Sequence, residues 1–502
     1  MPFIWCFILF LVCSTGAWVF GSKAWEIRPM NWGGPKVIVK NTPFRKDVFG
    51  IIIANFEGDA IVHGTSIKGK DIPRSMKTAL NARFENEHIS GVEVQEYSKV
   101  LRGSKEALSI GRRYNAELVI FGGVNVQGII YNLKLVKELS WGKEILKAEG
   151  AFLKEELSFP RFVETSDIQL RALTSEPASL VSFISGVKSF QNGSYEQAIQ
   201  YFLKAIPQEE GSQIVSAPIF IALADSYFLD QEYDNAIINY TKVLDISPKK
   251  AGIYVNRGTA YFIKGDFNKA VLDYSKALGI DSSNASAYAN RASVYFKMGD
   301  YVKSISDSTE ALRINPKDAA TFCNRGSAYS RSGDYELAIK DFNQALALVP
   351  KFASAYYNRA IVYFRKKDYD QAILDCSRAL EIDPQYVDAY SQRGKAFYAK
   401  GEYDKAIFDD TEALKISPEN SAIYLQRGEV YGEKGEHDKA INDFSEALRF
   451  DSKNKNAYSN RAIAYFNKKE YQKSLDDANA VQRLGGSVNP VLLKKLQEVL
   501  SH

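Results

Sequence analysis

The chain has 502 residues, and its 64 basic and 60 acidic side chains give a formal net charge of +4 at pH 7. These charges are interleaved and nearly balanced, so the chain lacks the basic stripe of a nucleic-acid-binding protein. The 4 cysteines form no CxxC pair and the 4 histidines lie at no metal-ligand spacing. The sequence therefore predicts no disulfide framework, no metal site and no cofactor.

Residues 2–20 form an apolar stretch that carries no charge. A stretch of ~20 residues is long enough to span a bilayer, so residues 1–22 are predicted to be a transmembrane anchor or a secretory signal peptide. Thr15-Gly16-Ala17 is an acceptable cleavage site for a signal peptide. A signal peptide would also require a basic residue near its start, and no basic residue precedes Lys23. A lipid-modified Cys13 is a further alternative, although Val12 before it is bulky.

The basic residues after this stretch, in the linker predicted at 23–47, favour retention of the chain on the cytoplasmic side. A cleaved signal would place it outside instead. We therefore expect a membrane-anchored or exported protein of the cell envelope, with the side of the membrane left open.

A change of periodicity follows, from which we predict a small α/β domain over residues 48–160 and a connecting segment over 161–178. The predicted strands are 48–56, 92–95, 117–126 and 129–136, the last two paired, and the predicted helices are 72–87 and 104–114.

The run from Ala107 through Gly111 and Asn115 to Gly122, preceded by the apolar residues 51–56, resembles the small domain of Tol-type envelope proteins and of curli-secretion lipoproteins. The resemblance implies docking to another envelope component. A plain spacer domain is the alternative.

From Ala217 to Val488 the chain repeats every 34 residues, eight times, without insertion or deletion. Positions 4 and 11 of each block are aromatic and position 8 is Gly or Ala, which places them on one face of a first helix. Position 20 is Ala or Ser and position 27 is Ala or Val, as expected for the facing stripe of a second helix. In five blocks a proline near position 32 ends that helix: Pro248, Pro316, Pro350, Pro384 and Pro418.

This pattern resembles the tetratricopeptide repeat family, which implies a mainly α, right-handed α-solenoid. A looser copy at 179–212 brings the array to about nine helix-turn-helix repeats over 179–488. An amphipathic capping helix is predicted in 489–502, with Val491, Leu492, Leu496 and Val499 on the face that covers the last repeat. The eight regular blocks are 217–250, 251–284, 285–318, 319–352, 353–386, 387–420, 421–454 and 455–488.

Two charged columns are predicted to form structural ion pairs. The block at 217–250 lacks both the arginine of position 7 and the aspartate of position 23, and has Leu223 and Asn239 there instead. The two charged residues are therefore present together or absent together, as expected of partners. The pattern leaves open whether each pair lies within a repeat or between neighbours. Position 7 carries Arg257, Arg291, Arg325, Arg359, Arg393, Arg427 and Arg461, and position 23 carries Asp273, Asp307, Asp341, Asp375, Asp409, Asp443 and Asp477.

Position 6 is a column of carboxamides: Asn256, Asn290, Asn324, Asn358, Gln392, Gln426 and Asn460. Here the chain resembles the repeat domain of O-linked N-acetylglucosamine transferases, which implies an amide ladder that holds the backbone of an extended peptide. A carboxamide offers both the donor and the acceptor that a peptide backbone needs. The alternative is that these amides bond neighbouring helices.

Position 13 varies, and it carries the cations Lys297, Arg331 and Arg365 in three consecutive repeats before Glu433. On a groove this column would select the partner sequence, whereas on a solvated face it would have no such role. Position 12 adds Phe262, Phe296, Phe364, Tyr398 and Phe466 as candidate apolar contacts.

The chain shows no phosphate-binding loop, no dinucleotide-binding glycine motif and no nucleophile elbow. We therefore expect no enzyme, but a membrane- or envelope-attached scaffold that binds an extended or helical protein segment in the repeat groove. The alternative is a ligand-binding or enzymatic α/β domain for which the repeats recruit substrate. The identity of the partner and the oligomeric state are left open.

Overall fold

The computed structural model describes residues 177–206 and 217–500, and before them the backbone of seven strands between residues 49 and 170. The predicted anchor at 1–22, the linker at 23–47 and the predicted helices at 72–87 and 104–114 lie outside the described residues.

Five of the strands form one sheet with the order β4-β1-β5-β6-β7, and β2 and β3 form a separate antiparallel pair. Strand β1 is parallel to both β4 and β5, whereas β5, β6 and β7 are antiparallel. The strands are β1 Phe49–Ala54, β2 Asp59–Val62, β3 Thr65–Lys68, β4 Val92–Tyr97, β5 Leu118–Asn125, β6 Gly128–Leu135 and β7 Ile168–Leu170.

Four of these strands lie where the sequence predicts strands, and the predicted pairing of β5 with β6 is observed. Strands β2, β3 and β7 are not predicted, because each has at most four residues and no clear alternation. The α/β domain as a whole stays a prediction, since its helices fall outside the described residues.

The rest of the described chain is a helical solenoid, built from paired antiparallel helices. The helices are α1 Pro177–Gln191, α2 Tyr195–Ala205, α3 Ala217–Leu229, α4 Tyr233–Ile246, α5 Ala251–Ile263, α6 Phe267–Ile280, α7 Ala285–Lys297, α8 Tyr301–Ile314, α9 Ala319–Ser332, α10 Tyr335–Leu348, α11 Ala353–Arg365, α12 Tyr369–Ile382, α13 Val387–Ala399, α14 Tyr403–Ile416, α15 Ser421–Glu433, α16 His437–Phe450, α17 Lys455–Asn467, α18 Tyr471–Arg483 and α19 Pro490–Leu500. The chain forms two compact units, and among the described helices the boundary lies between Val294 and Tyr295.

The helix boundaries follow the repeat. Each of the eight first helices begins at the first residue of its block, and the second helices that precede a proline end two residues before it. The turn between the two helices needs a left-handed residue, which Gly333 supplies at φ 92°. At the start of three second helices the aspartate caps a free backbone N–H, as Asp300 does for Lys303.

The core of a repeat lies between its two helices, where position 24 packs on position 8. An added Cβ at Gly428 would lie 2.7 Å from the Phe444 ring, and one at Gly258 would lie 2.9 Å from the Tyr274 ring. Glycine therefore gives the aromatic ring its space. The alanines of the facing stripe, such as Ala440 and Ala447, are fully buried.

In residues 295–500 the first helices form a continuous layer, in which α9 contacts α11, α11 contacts α13, α13 contacts α15 and α15 contacts α17. Within that described range the second helices make no contact of comparable extent with one another. The first helices thus pack as the closer layer of this unit.

The predicted capping helix is α19, and it covers the last repeat. Leu492 and Leu496 are its buried residues and pack with Ala462. The sequence also assigns Val491 and Val499 to the covered face, which is wrong, because Val491 is 60% exposed and Val499 is 41% exposed. The covered face is narrower than the apolar stripe.

Candidate functional site

The arginines of position 7 pair with the aspartates of position 23 inside the same repeat. Nε and Nη2 of each arginine donate to the two carboxylate oxygens of its aspartate at 2.6–2.8 Å in six repeats. This two-pronged contact joins the first helix to the second. The pairs are Arg257–Asp273, Arg325–Asp341, Arg359–Asp375, Arg393–Asp409, Arg427–Asp443 and Arg461–Asp477.

The remaining guanidinium nitrogen extends each contact to the preceding repeat. Nη1 of Arg427 donates to Thr411 Oγ1 at 2.9 Å, and Nη1 of Arg291 donates to Ser275 Oγ at 2.9 Å. Each arginine therefore fixes two helices of its own repeat and one of its neighbour. Where the column changes, Leu223 is buried and Asn239 donates to its own helix, at Asn235 O.

The carboxamides of position 6 lie mostly below the surface. Asn256, Asn290, Asn324 and Asn358 are only 2–5% exposed and Gln392 is 8% exposed, whereas Gln426 and Asn460 are half-buried.

Several of their hydrogen bonds run between neighbouring first helices. Gln426 Nε2 donates to Ser391 O at 3.0 Å, and Asn460 Nδ2 donates to Glu429 Oε1 at 2.9 Å. These are the bonds of the helix-packing alternative. The peptide-backbone ladder stays a prediction, and its most accessible members are Gln426 and Asn460.

The column at position 13 is exposed throughout residues 295–500, at Lys297, Arg331, Arg365, Ala399, Glu433 and Asn467. Nη1 of Arg365 donates to the carbonyl oxygen of Ser330 at 3.2 Å, which holds this cation beside the preceding first helix. The column thus borders the layer of first helices, and its charge changes from basic to acidic along the chain.

The aromatic residues of position 12 pack inside their own repeat, where Phe296 is buried and Phe262, Phe364, Tyr398 and Phe466 are half-buried, and their role as apolar contacts for a partner stays a prediction. Phe364 lies 5.4 Å, between ring centroids, from Tyr369 of the following helix, and Tyr398 lies 5.8 Å from Tyr403. These aromatic pairs stabilise the turn between the two helices of a repeat.

Two buried carboxyl groups were missed by the sequence reasoning. Burial raises the pKa of Asp225 to about 7, and hydrogen bonds from Tyr240 and Asn256 oppose that rise. Burial, followed by the charge of Asp409, raises the pKa of Asp410 to about 8. The sequence could have indicated that Asp410 is buried, because it occupies position 24, which is aromatic in four of the eight blocks.

The described residues hold no group of His, Cys, Asp and Glu side chains that could bind a metal ion. Cys376 is buried, and burial raises the pKa of its thiol, which disfavours the nucleophilic thiolate. None of the described helices combines the length and the apolar character that crossing a membrane requires.

Models of the tetratricopeptide repeat match residues 217–250, 258–299, 283–351, 323–387, 394–435 and 430–469. These segments of the chain are tetratricopeptide repeats, so the resemblance read from the sequence is confirmed for them.

Solved structures of other proteins are similar to this chain. A tetratricopeptide repeat protein from Parabacteroides merdae ATCC 43184 is 21% identical, covers 50% of this chain and 98% of its own, and has a TM-score of 0.42. MamA 41-end from Desulfovibrio magneticus RS-1 is 22% identical over 34% of this chain and 96% of its own, with a TM-score of 0.32. YrrB, a TPR protein with an unusual peptide-binding site, is 24% identical over 36% and 92%, with a TM-score of 0.31. A search of curated proteins gives no match.

Proposed function

We propose that the repeat array is a non-enzymatic scaffold that binds a segment of a partner protein along the groove formed by its first helices. The observation that carries the proposal is the column at position 13, which is exposed throughout residues 295–500 and whose side chain differs from repeat to repeat while the packing positions 4, 8, 11 and 20 keep the same residue types. Tetratricopeptide repeats are generally scaffolds for protein–protein interaction, and solenoids use such an extended face for binding.

The charge of this face indicates what part of the partner it would select. Arg331 and Arg365 are exposed cations in consecutive repeats, and Lys297 precedes them. Exposed charges of this kind contribute mainly to the rate and selectivity of association. We therefore expect the partner segment to carry acidic residues over this region and its binding to weaken with salt.

The test reverses charge on the first helices of the full chain. A partner retained by the full chain should bind the variant Arg331→Glu/Arg365→Glu at least about tenfold more weakly, and raising the salt should reduce the difference. The matched control is Lys340→Glu, an exposed cation on the second helix α10. Equal losses from the control, or none from the double variant, would contradict binding on the first helices.

We propose further that the array is attached to the membrane or exported to the cell envelope through residues 1–22. The uncharged apolar stretch at 2–20 supports this. In fractionated cells, the full chain should sediment with membranes or leave the cytoplasm, and a chain that begins at Lys23 should do neither.

A further inference from the structure

The joint between the repeats 387–420 and 421–454 contains a carboxyl group at position 24, where four of the eight blocks carry an aromatic ring. Asp410 on α14 has no exposed surface. Its Oδ1 accepts a hydrogen bond from Gln426 Nε2 of the next repeat at 2.6 Å, while its Oδ2 is buried and has no hydrogen-bond partner.

The surrounding residues are adapted to this carboxyl group. Ser391 Oγ donates to Gln426 Oε1 at 2.9 Å, and Gln426 Nε2 also donates to Ser391 O, so the amide is held in one orientation. Gly394 makes the necessary space, because an added Cβ there would lie 3.0 Å from Asp410 Oδ1 and 3.2 Å from Gln426 Nε2.

The two glutamines of position 6 follow joints without a ring at position 24: Gln426 follows Asp410, and Gln392 follows Cys376. The next joint has Phe444 at position 24 and Asn460 at the following position 6, and an earlier joint has Phe342 and Asn358. Asn324 follows Ser308, so it is the hydrogen bond to Asp410, not the lack of a ring, that distinguishes Gln426. Its extra methylene lets the amide reach the carboxyl group.

The other charged groups that face Asp410 are either paired with another residue or exposed to solvent. Asp409 and Asp443 are paired with Arg393 and Arg427, whose guanidinium groups saturate their oxygens. Lys395 is the remaining cation near Asp410, and it lies on the exposed face of α13. Asp410 therefore has no dedicated counter-ion that would offset its ionisation.

We propose that this joint is a pH-responsive weak point of the array, which is closed while Asp410 is a neutral carboxylic acid and loosens when Asp410 loses its proton. In the neutral form one oxygen accepts from Gln426, and the other carries the proton. Ionisation puts a negative charge on the buried, unpartnered Oδ2, and the charge is stabilised only if the helices separate and admit water.

The direction of the effect follows from where the proton is held more tightly. The pKa of Asp410 is raised from its ordinary value of 3.8 to about 8 in the closed joint, chiefly by burial. Its stabilising contribution is thus complete below about pH 4 and is lost as the pH rises toward about 8. Over that window the equilibrium constant for opening should rise about tenfold per pH unit, because one proton is released.

The experiment measures hydrogen exchange in the full chain between pH 6 and pH 8, corrected for the intrinsic exchange rate. In the natural sequence, protection of residues 403–433 should fall by up to about a hundredfold, while that of residues 335–365 stays constant. Asp410→Asn copies the shape of the neutral acid but cannot ionise, so this variant should lose the pH dependence. Asp225→Asn, at a buried acid with two donors, should leave residues 403–433 unchanged.

A second variant guards against a failure of Asp410→Asn to fold. Asp410→Phe/Gln426→Asn copies the joint at Phe444 and Asn460, and it should be equally protected at both pH values. Constant protection of residues 403–433 in the natural sequence would overturn the proposal. So would the same pH dependence in the two Asp410 variants.

Discussion

At the scale of single residues, the Arg–Asp pairs hold the frame together. A carboxylate that is nearly buried depends on its arginine, as Asp375 does with its side chain only 2% exposed. Removing one partner of such a pair typically costs about 3–5 kcal/mol, because the other charge is left buried and unpaired.

We expect Arg359→Leu to destabilise the array by about 3 kcal/mol, and the double variant Arg359→Leu/Asp375→Asn to recover most of that loss. The double variant copies Leu223 and Asn239, which this chain already uses in its first regular repeat. Denaturation midpoints of the natural chain, the two single variants and the double variant form a complete cycle. Additive losses would show that the two columns act independently.

Two glycines of α15 provide a matched pair. At Gly428 an added Cβ would lie 2.7 Å from the Phe444 ring, whereas at Gly432 nothing lies within 4 Å. Gly432→Ala should therefore stabilise by up to about 1 kcal/mol through helix propensity, and Gly428→Ala should destabilise through overpacking. Thermal unfolding compares the two; a stabilising Gly428→Ala would contradict the observed packing of position 24 on position 8.

The sequence predicts which residues pair, but it does not predict how exposed each side chain is. The joint absence of Arg and Asp in one block is enough to predict that the two columns pair, because a lone buried charge would not be tolerated. The carboxamide column carries no such sign. Asn358 and Asn460 are the same residue at the same position, yet one is buried and the other half-buried. Asn358 contacts Cys323 and Ser327 of the preceding repeat, whereas Asn460 donates to Glu429 there.

At the scale of helices, the fixed period makes the boundaries predictable. The eight first helices begin at the block starts, and in five blocks a proline such as Pro384 ends the second helix before the next block begins. The capping helix has no repeat to guide it. Its covered face depends on the shape of the last repeat, so the apolar stripe alone predicts too many buried residues.

The difference between the buried and the exposed apolar residues of the capping helix can be measured on α19. Leu496 is fully buried, so Leu496→Ala should destabilise the carboxyl-terminal repeat by about 2–5 kcal/mol. Val491→Ala removes apolar side-chain carbons from the same helix at a site that is 60% exposed, and its effect should stay within about 0.5 kcal/mol. Hydrogen exchange of α17 and α18 gives the local readout. Comparable losses from both substitutions would place the helix differently from the fold described above.

At the scale of the molecule, repetition separates what the sequence can predict from what it cannot. Residues that recur in every block have to serve contacts that recur in every block, so they define the solenoid. Residues that break the pattern, such as Arg331, Glu433 and Asp410, serve one location only. Their roles depend on the neighbours that the fold brings to them.

The central claim is that a partner segment binds across the first helices, and a cross-linking footprint tests it most directly. A photo-reactive amino acid is placed in the full chain at residue 331, 365 or 433 on first helices, and at residue 340 or 374 on second helices; all five residues are exposed. We predict that the first-helix sites cross-link one contiguous segment of the partner, with its acidic part nearest residues 331 and 365. Cross-links formed only from residues 340 and 374 would contradict the claim.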